Sequence, residues 1–575
     1  MIFAAFLLAA ALPLLLNVSL PPSVSMSSQL LALFGWGVVM LLVPAPRMPA
    51  GSGRRLAPLI AAVAIVAMGC GFSIVARGGL LVPGIGVLGV LAVTVALIFH
   101  GAGVGASGGR AEKAFTAFAL ALLIAAVLGS LIAVVQIFAP NSVHSVLIAM
   151  PTDPGRADGN MGQPNQFADT LIWGLLALVG LWESGALGRV RSPALWAAFV
   201  GTGTLILLGV ILTGSRTALL SLAIPFGWGL LGRSLARPTR LALLALPVAA
   251  ALLNAGVSEW AAMHPALHVS LTDHGGDATS FRGLIWSNAL ALIRQHPWGG
   301  VGWGMFNFAW TLTPFAPRSA GYVDNAHDLA LQLAVELGLP AALCIMGLLL
   351  FSLVLALPRR AGPSRAGGVQ TAVAVSMVLV VGIHSLLEYP LWYLYLLLPT
   401  AWVWGFALGA ARGAAAVDDA TTAAPPVRAW RPLGLLLVAA AASAWIDYLN
   451  IVTLFQPLAT SLPLEQRIRQ AQASPLFSYH ADYVAVTNLP LSPARSPEFE
   501  RSARILLNGR LMYLWANLLQ QEGQTDKARY LAARLREFDL PGPKPWFAPC
   551  EDPAVTAKPF QCLSPEHPVS WQDFK

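Results

Sequence analysis

Long apolar runs, separated by short polar loops, set the pattern of this chain. A helix needs roughly 17 to 25 apolar residues to cross a bilayer. By this measure the sequence predicts about thirteen transmembrane helices, at residues 1–16, 26–44, 57–76, 80–99, 114–138, 165–182, 194–213, 215–232, 240–256, 328–357, 369–387, 391–410 and 432–449. For residues 1–16 a signal peptide is the alternative, but the segment lacks a basic start and a clear small-residue cleavage site, which favours a retained helix. The predicted fold class is an all-α, polytopic membrane helix bundle.

Composition and the placement of charge agree with this pattern and give it a direction. The chain is 56% hydrophobic and 11% charged, whereas soluble domains carry about 25% charged residues. With the N-terminus in the cytoplasm, sixteen Lys and Arg residues fall in cytoplasmic loops and six in the opposite loops. Because basic residues gather in cytoplasmic loops, this asymmetry predicts the orientation. The net charge of +8 therefore reflects topology, and no feature favours binding to nucleic acid. The six basic residues on the outer side are Arg77, Arg156, Arg216, Arg282, Arg294 and Arg318.

Three stretches interrupt the membrane pattern. Residues 139–164 and 257–327 form polar loops on the outer side, and residues 450–575 have an ordinary soluble composition. We therefore predict two domains. Residues 1–449 form a transmembrane domain that includes the loop at 257–327, and residues 450–575 form a helical tail domain on the outer side.

The tail has two further features. Residues 497–538 resemble one helix–turn–helix unit of the tetratricopeptide kind, which is too little to establish a repeat array. Cys550 and Cys562 lie close together, and their spacing leaves a disulfide and two free thiols equally open. No CxxC or HExxH motif occurs in the chain, so the sequence gives no support for a zinc site.

A polar face marks the start of the predicted span at residues 328–357. His327 precedes it, and Asp328, Gln332 and Glu336 recur every four residues, which places all three on one helical face. A charged side chain beside lipid costs roughly 2.5 kcal/mol or more, so such residues usually face a cavity and mark function. The alternative is a polar seam that packs helices together, with His327 as a cap. We favour an active-site helix.

Other polar residues that are unexpected in so apolar a chain also lie on the outer side. Structural alternatives exist for each: a capped loop, an arginine that reaches lipid headgroups, an interfacial anchor helix or an aromatic belt. A belt does not explain a histidine and a glutamate four residues apart on one face. The residues are Arg156, Gln163 and Asn165 before the sixth span, Arg216 after the seventh, Arg282 on a short amphipathic helix, and His384, Glu388 and Tyr389 after the eleventh.

A glycine motif lies in the longer outer loop. Gly300, Gly302 and Gly304 form a GxGxG pattern of the kind that cradles phosphates in nucleotide-binding folds. No strand or nucleotide fold is predicted around it. We interpret it as a tight turn at the membrane edge.

One kind of chemistry suits several arginines around a single histidine. Guanidinium groups bind a phosphate or pyrophosphate and neutralise it as it leaves. Histidine titrates near neutral pH and can remove a proton from an acceptor hydroxyl. The pattern therefore predicts a group transfer at the outer face of the membrane.

Five motifs occur in order along the outer side: GNMGQPNQFA at 159–168, GSRTALL at 214–220, RGLIW…HPWGGVGWGMF at 282–306, NAHDLALQLAVELG at 325–338 and HSLLEYPLW at 384–392. Together they resemble the O-antigen ligase / polymerase superfamily and, within it, the bacterial O-oligosaccharyltransferases of the PglL type. The resemblance covers roughly residues 150–410, and the long tail favours this protein-modifying branch over lipid A core ligases. Family members often have Asn after the histidine, where this chain has Asp328. An acidic neighbour would raise the basicity of His327 or contact a sugar.

The resemblance implies an inverting, metal-independent oligosaccharyltransferase without a cofactor, in the bacterial inner membrane with its site and tail in the periplasm. The donor would be a glycan on undecaprenyl pyrophosphate, held in membrane lipid, and the acceptor a serine or threonine of a pilin-like or other periplasmic protein. By motif, His327 is the catalytic residue, and Arg216 and Arg282, with Arg156, bind the donor pyrophosphate. The residues expected to bind substrate are Gln163, Asn165, Asp328, His384, Glu388 and Tyr389.

Two alternative functions are left open beside protein glycosylation. Lipid A core ligases and O-antigen polymerases belong to the same superfamily and use other acceptors, which the sequence does not distinguish. A polyprenyl-glycan flippase or other transporter would place substrate groups near the bilayer midplane and show internal repeats. Here the polar residues gather at the outer edge and no repeat is found.

Overall fold

The computed structural model of the protein describes residues 1–47, 53–142, 147–188, 192–232, 235–265, 277–318, 321–357, 365–411, 429–456, 461–538 and 543–575. In these ranges all regular elements are helical, apart from one isolated antiparallel bridge between Leu20 and Ser23. The predicted all-α membrane fold class is confirmed. Parts of the predicted outer loops, such as residues 266–276 and 319–320, and loop arginines such as Arg189 and Arg412, lie outside the described residues.

The membrane part begins with helices that follow the predicted spans closely. They are α1 (Ile2–Leu15, with a π-helical turn at Leu7–Ala11), α2 (Met26–Leu42), α3 (Gly53–Ala76), α4 (Leu81–Gly105), α5 (Gly109–Phe138), α6 (Pro164–Ser184), α7 (Pro193–Leu212), α8 (Arg216–Ser221), α9 (Ala223–Leu231), α10 (Arg237–Leu244) and α11 (Leu246–Met263).

The outer segments and the remaining membrane helices follow. They are α12 (Asp277–Gln295), α13 (Phe306–Leu312), α14 (Leu329–Leu337), α15 (Leu339–Ala356), α16 (Arg365–Ser385), α17 (Leu394–Ala410), α18 (Trp430–Phe455), and in the tail α19 (Leu464–Gln472), α20 (Ser478–Asn488), α21 (Ser496–Ile505), α22 (Gly509–Gln521), α23 (Thr525–Arg536) and α24 (Lys544–Glu551).

Among the described residues, nine helices are long and apolar enough to cross a membrane. Four shorter apolar helical segments accompany them: α1, α2, the α8–α9 pair and α17. Every one of these segments falls on a predicted span. A total of thirteen crossings stays a prediction, because the four shorter segments do not reach the length of the other nine.

The prediction of a single helix at residues 328–357 is wrong, because the helix is broken at Gly338. This glycine has a φ of +87° and separates α14 from α15. A Cβ at this position would lie 2.5 Å from the carbonyl carbon of Trp298. Only glycine combines this backbone conformation with so close an approach.

The spans predicted at residues 215–232 and 240–256 are each divided as well. The first becomes α8 and α9, and Pro225 has no N–H to donate to the carbonyl of Ser221. The second becomes α10 and α11, with Pro247 just after the break. Proline explains both interruptions, and an apolar run alone does not reveal them.

The described residues pack as two compact units, each assembled from segments that are distant in sequence. The first unit comprises Met1–Ala61, Ala92–His274 and Leu348–Trp445, and the second comprises Ala62–Leu91, Gly275–Gly347 and Ile446–Lys575. The predicted division into a membrane domain at 1–449 and a tail domain at 450–575 stays a prediction.

Aromatic side chains and close helix contacts form the core of the first unit. The ring of Phe6 lies 5.1 Å from that of Trp402 and 5.5 Å from that of Phe118, centroid to centroid. Helices α4 and α17 approach so closely that a Cβ on Gly101 would lie 2.1 Å from the carbonyl oxygen of Trp402. Small residues permit such backbone contact between membrane helices.

The second unit joins part of the longer outer loop to the tail. Arg318 forms an ion pair with Glu537 at 3.0 Å, and the hydroxyl of Tyr530 donates to the carbonyl oxygen of Leu312 at 2.6 Å. These contacts make the tail part of the same packing unit as α13.

The tail itself contains the predicted helical hairpin. It is formed by α22 and α23, which pack together around a turn at Gly523, where φ is +75°. Cys550 and Cys562 are joined by a disulfide, which decides between the two states that their spacing left open.

Candidate active site

The backbone around His327 has a conformation that non-glycine residues rarely adopt. Its φ is +53°, in the left-handed region. The side-chain oxygen of Asn325 accepts from the N–H of His327 at 2.9 Å, and that of Gln332 accepts from the N–H of Ala326 at 2.7 Å. The indole N–H of Trp286 donates to the carbonyl oxygen of Ala326 at 3.0 Å. These bonds offset a backbone strain of about 1–2 kcal/mol and hold the backbone from which the half-buried imidazole extends.

Asp328 is the N-cap of α14. Its Oδ1 accepts from the N–H of Leu331 at 2.8 Å. The alternative in which His327 is the cap is therefore wrong. Asn and Asp cap helices about equally well, so the cap accounts for an aspartate at this position.

Gln332 and Glu336, predicted on the same face as Asp328, are both buried with 3% of their surface exposed. The carboxylate of Glu336 accepts from the N–H of Phe306 at 3.3 Å, and the side-chain oxygen of Gln332 accepts from the N–H of Ala326. The two side chains therefore satisfy backbone groups, as the polar-seam alternative expects. Their effect is to position the His327 loop.

The GxGxG segment is a tight turn, as predicted. Gly300, Gly302 and Gly304 all have positive φ, of +61°, +115° and +73°. The N–H of Val301 donates to the carbonyl of Val335 at 2.8 Å, and that of Gly302 donates to Glu336 at 3.0 Å. Because these amides are bonded to the end of α14, they do not form a phosphate cradle.

Arg282 lies on α12, as the predicted amphipathic helix requires. It precedes Trp286 by four residues, so the two side chains share a face of the helix. Trp286 donates a hydrogen bond to Ala326, the residue before His327. The second unit thus brings the helix of Arg282 and the His327 loop together.

A buried polar network lies in the first unit and includes four of the predicted residues. The carboxylate of Glu388 accepts from Nε2 of Gln163 at 2.9 Å and from Nδ2 of Asn165, and it lies 3.1 Å from Nε2 of His384. Nδ1 of His384 lies 2.6 Å from Oδ2 of Asp169. His384 and Asp169 are fully buried. The network joins the start of α6 to the end of α16.

Asp169 is the member of this network that the sequence analysis missed. It lies in the second turn of α6, four residues after Asn165, within a predicted span. An ionisable residue inside an apolar run is a signal that could have identified it.

Arg156 packs against the turn that precedes Arg216. Its Nε donates to the carbonyl oxygen of Thr213 at 2.9 Å, and its guanidinium pairs with Asp153 at 3.2 Å. Burial lowers the pKa of Arg156, and the carboxylate of Asp153 opposes this shift. Ser215 caps α8, whose first residue is the exposed Arg216. The two arginines therefore flank one turn.

Tyr389 lies in an aromatic cluster at the end of α16. Its ring stacks on that of Tyr393 at 6.1 Å and meets the ring of Trp392 edge-on at 6.3 Å. The side chain is partly exposed. This arrangement is compatible with an interfacial belt and with contact to a sugar ring.

Comparison with known proteins shows which families the chain resembles. Residues 202–346 match the family described as O-Antigen ligase, and residues 372–538 match a family described as Virulence factor membrane-bound polymerase, C-terminal. In these two segments the chain is similar to the O-antigen ligase superfamily. Among curated proteins, the chain is 26% identical over 449 residues to the General O-oligosaccharyltransferase of Acinetobacter baylyi (strain ATCC 33305 / BD413 / ADP1). The alignment covers 74% of each of the two proteins.

These findings confirm the predicted superfamily and the prediction that the chain is a membrane enzyme related to oligosaccharyltransferases. The first matched segment contains Arg216, Arg282 and His327, and the second contains His384 and Glu388. Gln163 precedes both segments. The roles of these individual residues stay predictions.

Proposed function

We propose that the protein transfers a glycan from undecaprenyl pyrophosphate to serine or threonine hydroxyls of periplasmic proteins, including pilin-like proteins. The name of the Acinetobacter relative supports this class of reaction. The observation that carries the proposal is the His327 loop, in which hydrogen bonds hold the histidine backbone at a positive φ within the segment that matches the O-Antigen ligase family. The protein would act at the inner membrane, with the loop and the tail in the periplasm.

In the proposed reaction the acceptor oxygen attacks the anomeric carbon of the donor sugar. The bond from that carbon to the pyrophosphate oxygen breaks, and the configuration inverts because the two groups are on opposite faces. The hydroxyl proton passes to His327. Arg216, Arg282 and Arg156 stabilise the negative charge of the departing undecaprenyl pyrophosphate. The guanidinium groups would supply the charge that a divalent metal supplies elsewhere, so the proposed reaction needs no metal.

The polar network of the first unit would support substrate binding indirectly, by positioning the side chains that contact the glycan. His384 and Glu388 are buried, so we assign them to positioning the amides of Gln163 and Asn165. Those amides and the partly exposed Tyr389 would contact the glycan. Asp328 would act as a helix cap that orients the His327 loop.

The test is glycosylation of a periplasmic acceptor protein in cells that supply a lipid-linked glycan. Wild type is compared with His327→Ala, and with His567→Ala as the control, because His567 is an exposed histidine of the tail. We expect serine or threonine glycosylation in wild type and control, and a loss of at least about 100-fold in His327→Ala, the usual effect of removing a general base. Full transfer by His327→Ala or His327→Gln at equal expression would refute the catalytic role.

His327→Asn separates a catalytic role from a structural one. Asparagine tolerates the left-handed conformation better than most residues, so this variant should keep the wild-type melting temperature while losing transfer. Glycan found only on lipid A core would assign the protein to the ligases. Longer glycan chains without either acceptor would assign it to the polymerases.

A further inference from the structure

A second polar pocket lies within the unit that contains the tail. Its volume is about 420 Å³, within the range of roughly 300–1,000 Å³ that is usual for small-ligand sites. Four basic side chains line it: Arg77, His296, Arg504 and Lys575. None of the four has a role in the proposed transfer.

Two of these cations are held by backbone carbonyl groups. Nη1 of Arg77 donates to the carbonyl oxygens of Gly299 at 2.8 Å and Gly300 at 2.5 Å. Nη1 of Arg504 donates to the carbonyl oxygen of Gly78 at 2.6 Å, and its Nε is buried without a hydrogen-bond partner among the described groups. Carbonyl oxygens orient a guanidinium but leave its charge uncompensated.

The other two basic groups, Lys575 and His296, both lie against Trp571. Nζ of Lys575 is 4.3 Å from the centroid of the indole ring, and the ring of His296 meets the indole edge-on at 5.7 Å. Burial lowers the pKa of Lys575, and the charges of Arg77 and Arg504 lower it further. Burial also lowers the pKa of His296, with Lys575 and Arg77 adding to the effect. The positive charges of Arg77, Arg504 and Lys575 therefore repel one another, and those of Arg77 and Lys575 oppose protonation of His296.

The described lining of the pocket contains no aspartate or glutamate. Uncompensated positive charge in a partly buried site destabilises a fold unless an anion neutralises it. A phosphate group can accept hydrogen bonds from two arginines and a lysine at once, with the bidentate geometry that guanidinium groups favour. The chemistry of the pocket therefore fits a phosphate-bearing anion.

The pocket also lies at the end of a membrane-spanning helix. Arg77 directly follows α3, and three large apolar side chains next to the lining residues are exposed: Val75 by 87%, Leu81 by 60% and Trp298 by 82%. Exposed aliphatic residues at a helix end and an exposed tryptophan are typical of the interface between lipid and water. A ligand bound here would have its charged part in the pocket and apolar chains beside it.

We propose that this pocket binds the phosphate-bearing headgroup of a membrane lipid. Two sources supply that chemistry: an anionic phospholipid of the bilayer, and a polyprenyl pyrophosphate. The binding does not depend on the proposed transfer reaction, because a headgroup site requires only the basic lining residues and the adjoining apolar surface.

The experiment measures lipid binding to the purified full-length protein by native mass spectrometry. The lipids are phosphatidylglycerol, phosphatidylcholine and undecaprenyl pyrophosphate, each titrated from detergent. The variants are Lys575→Gln and the double variant Lys575→Gln/Arg504→Gln. The control is Arg469→Gln, which removes a positive charge from an exposed ion pair of the tail. Lys575 is exposed, so its single substitution should leave the fold intact even if the double variant does not fold.

We expect wild type and Arg469→Gln to bind an anionic lipid at least about tenfold more tightly than phosphatidylcholine. The single variant should lose about threefold and the double variant about tenfold or more, as expected for the loss of one and two charge-assisted contacts. If phosphatidylglycerol binds more tightly than undecaprenyl pyrophosphate, the natural ligand is a bilayer phospholipid. If undecaprenyl pyrophosphate binds more tightly than phosphatidylglycerol, the natural ligand is the carrier lipid. Equal binding of anionic and zwitterionic lipids, or equal affinities of wild type and Lys575→Gln, would overturn the proposal.

Discussion

Nε2 of Gln163 donates a hydrogen bond of 2.9 Å to Oε2 of Glu388, which lies 225 residues later in the chain. The same carboxylate also accepts from Asn165 and contacts His384. A single buried carboxylate thus holds the N-terminal turn of α6 against the end of α16. Glu388 is therefore the residue whose replacement should affect most of the network.

We expect Glu388→Gln to destabilise the protein and to reduce transfer. The glutamine amide presents two N–H groups to partners that are themselves donors, and an unsatisfied buried polar group costs about 1–3 kcal/mol. The melting temperature in detergent should fall by several degrees, and transfer should fall at least about tenfold because Gln163 and Asn165 lose their anchor. Glu551→Gln, which changes an exposed carboxylate of the tail, is the control and should match wild type. Wild-type stability and transfer in Glu388→Gln would contradict the positioning role.

Asp328 should be replaceable by asparagine but not by alanine. Asn can accept the same hydrogen bond from the N–H of Leu331, whereas loss of an N-cap costs about 1 kcal/mol. Asp328→Asn should keep both the melting temperature and the pH profile of transfer, and Asp328→Ala should lower stability and rate together. If Asp328→Asn instead moved the profile to lower pH, the carboxylate would be raising the basicity of His327, and the cap would not be its main role.

Gly300→Ala should be severely destabilising. The residue has a φ of +61°, and a Cβ there would lie 2.4 Å from the backbone of Glu336. Backbone atoms cannot yield as a flexible side chain can, so the turn must separate from α14 and the His327 loop loses its support. We expect low yield or a clearly lowered melting temperature. Gly256→Ala is the matched control, because nothing lies within 4 Å of a Cβ at that helical position.

The tail should lose stability in mild acid through His480. Burial lowers the pKa of this histidine to about 4, compared with about 6.5 in an unfolded chain. Between these values the unfolded state binds the proton and the folded state does not, so stability is lost as pH falls from about 6.5 to about 4. His480→Gln removes this titration, and its melting temperature should fall less over that range. The side chain is partly exposed, so the difference should be small but measurable.

The apolar runs predict the nine long apolar helices and the four shorter ones of the described residues, because burial in lipid requires an uninterrupted length of apolar residues. They did not predict where a run is broken. Gly338 is required by the backbone of Trp298, a neighbour 40 residues away in sequence, and no local pattern records that approach. Pro225 could have indicated the break in the span at 215–232, but the high hydropathy of its neighbours favoured one continuous helix.

The candidate site was predictable to a similar extent. His327 and Asp328 were visible because polar residues at the start of an apolar helix are rare. The sequence did not predict that Asp328 is the residue that caps the helix, or that His327 has a positive φ. Both depend on the path of the backbone, which residue types alone do not determine. Asp169 was missed because its partner His384 is 215 residues away, and only the packing of α6 against α16 brings the two together.

The enclosure of α6 has a consequence for the way the protein enters the membrane. This helix has a mean hydropathy of 1.3 compared with 2.8 for α5, and 94% of its apolar window is buried inside the protein. An aspartate within a membrane helix disfavours insertion of that helix on its own, by up to about 2.5–3.5 kcal/mol at the helix centre, and Asp169 lies in the second turn of α6. Asp169 meets His384 only after 215 more residues have been made, which takes roughly 10 to 40 s at typical rates of synthesis. During that interval α6 depends on the earlier helices, or on an insertion factor, to keep it in the bilayer.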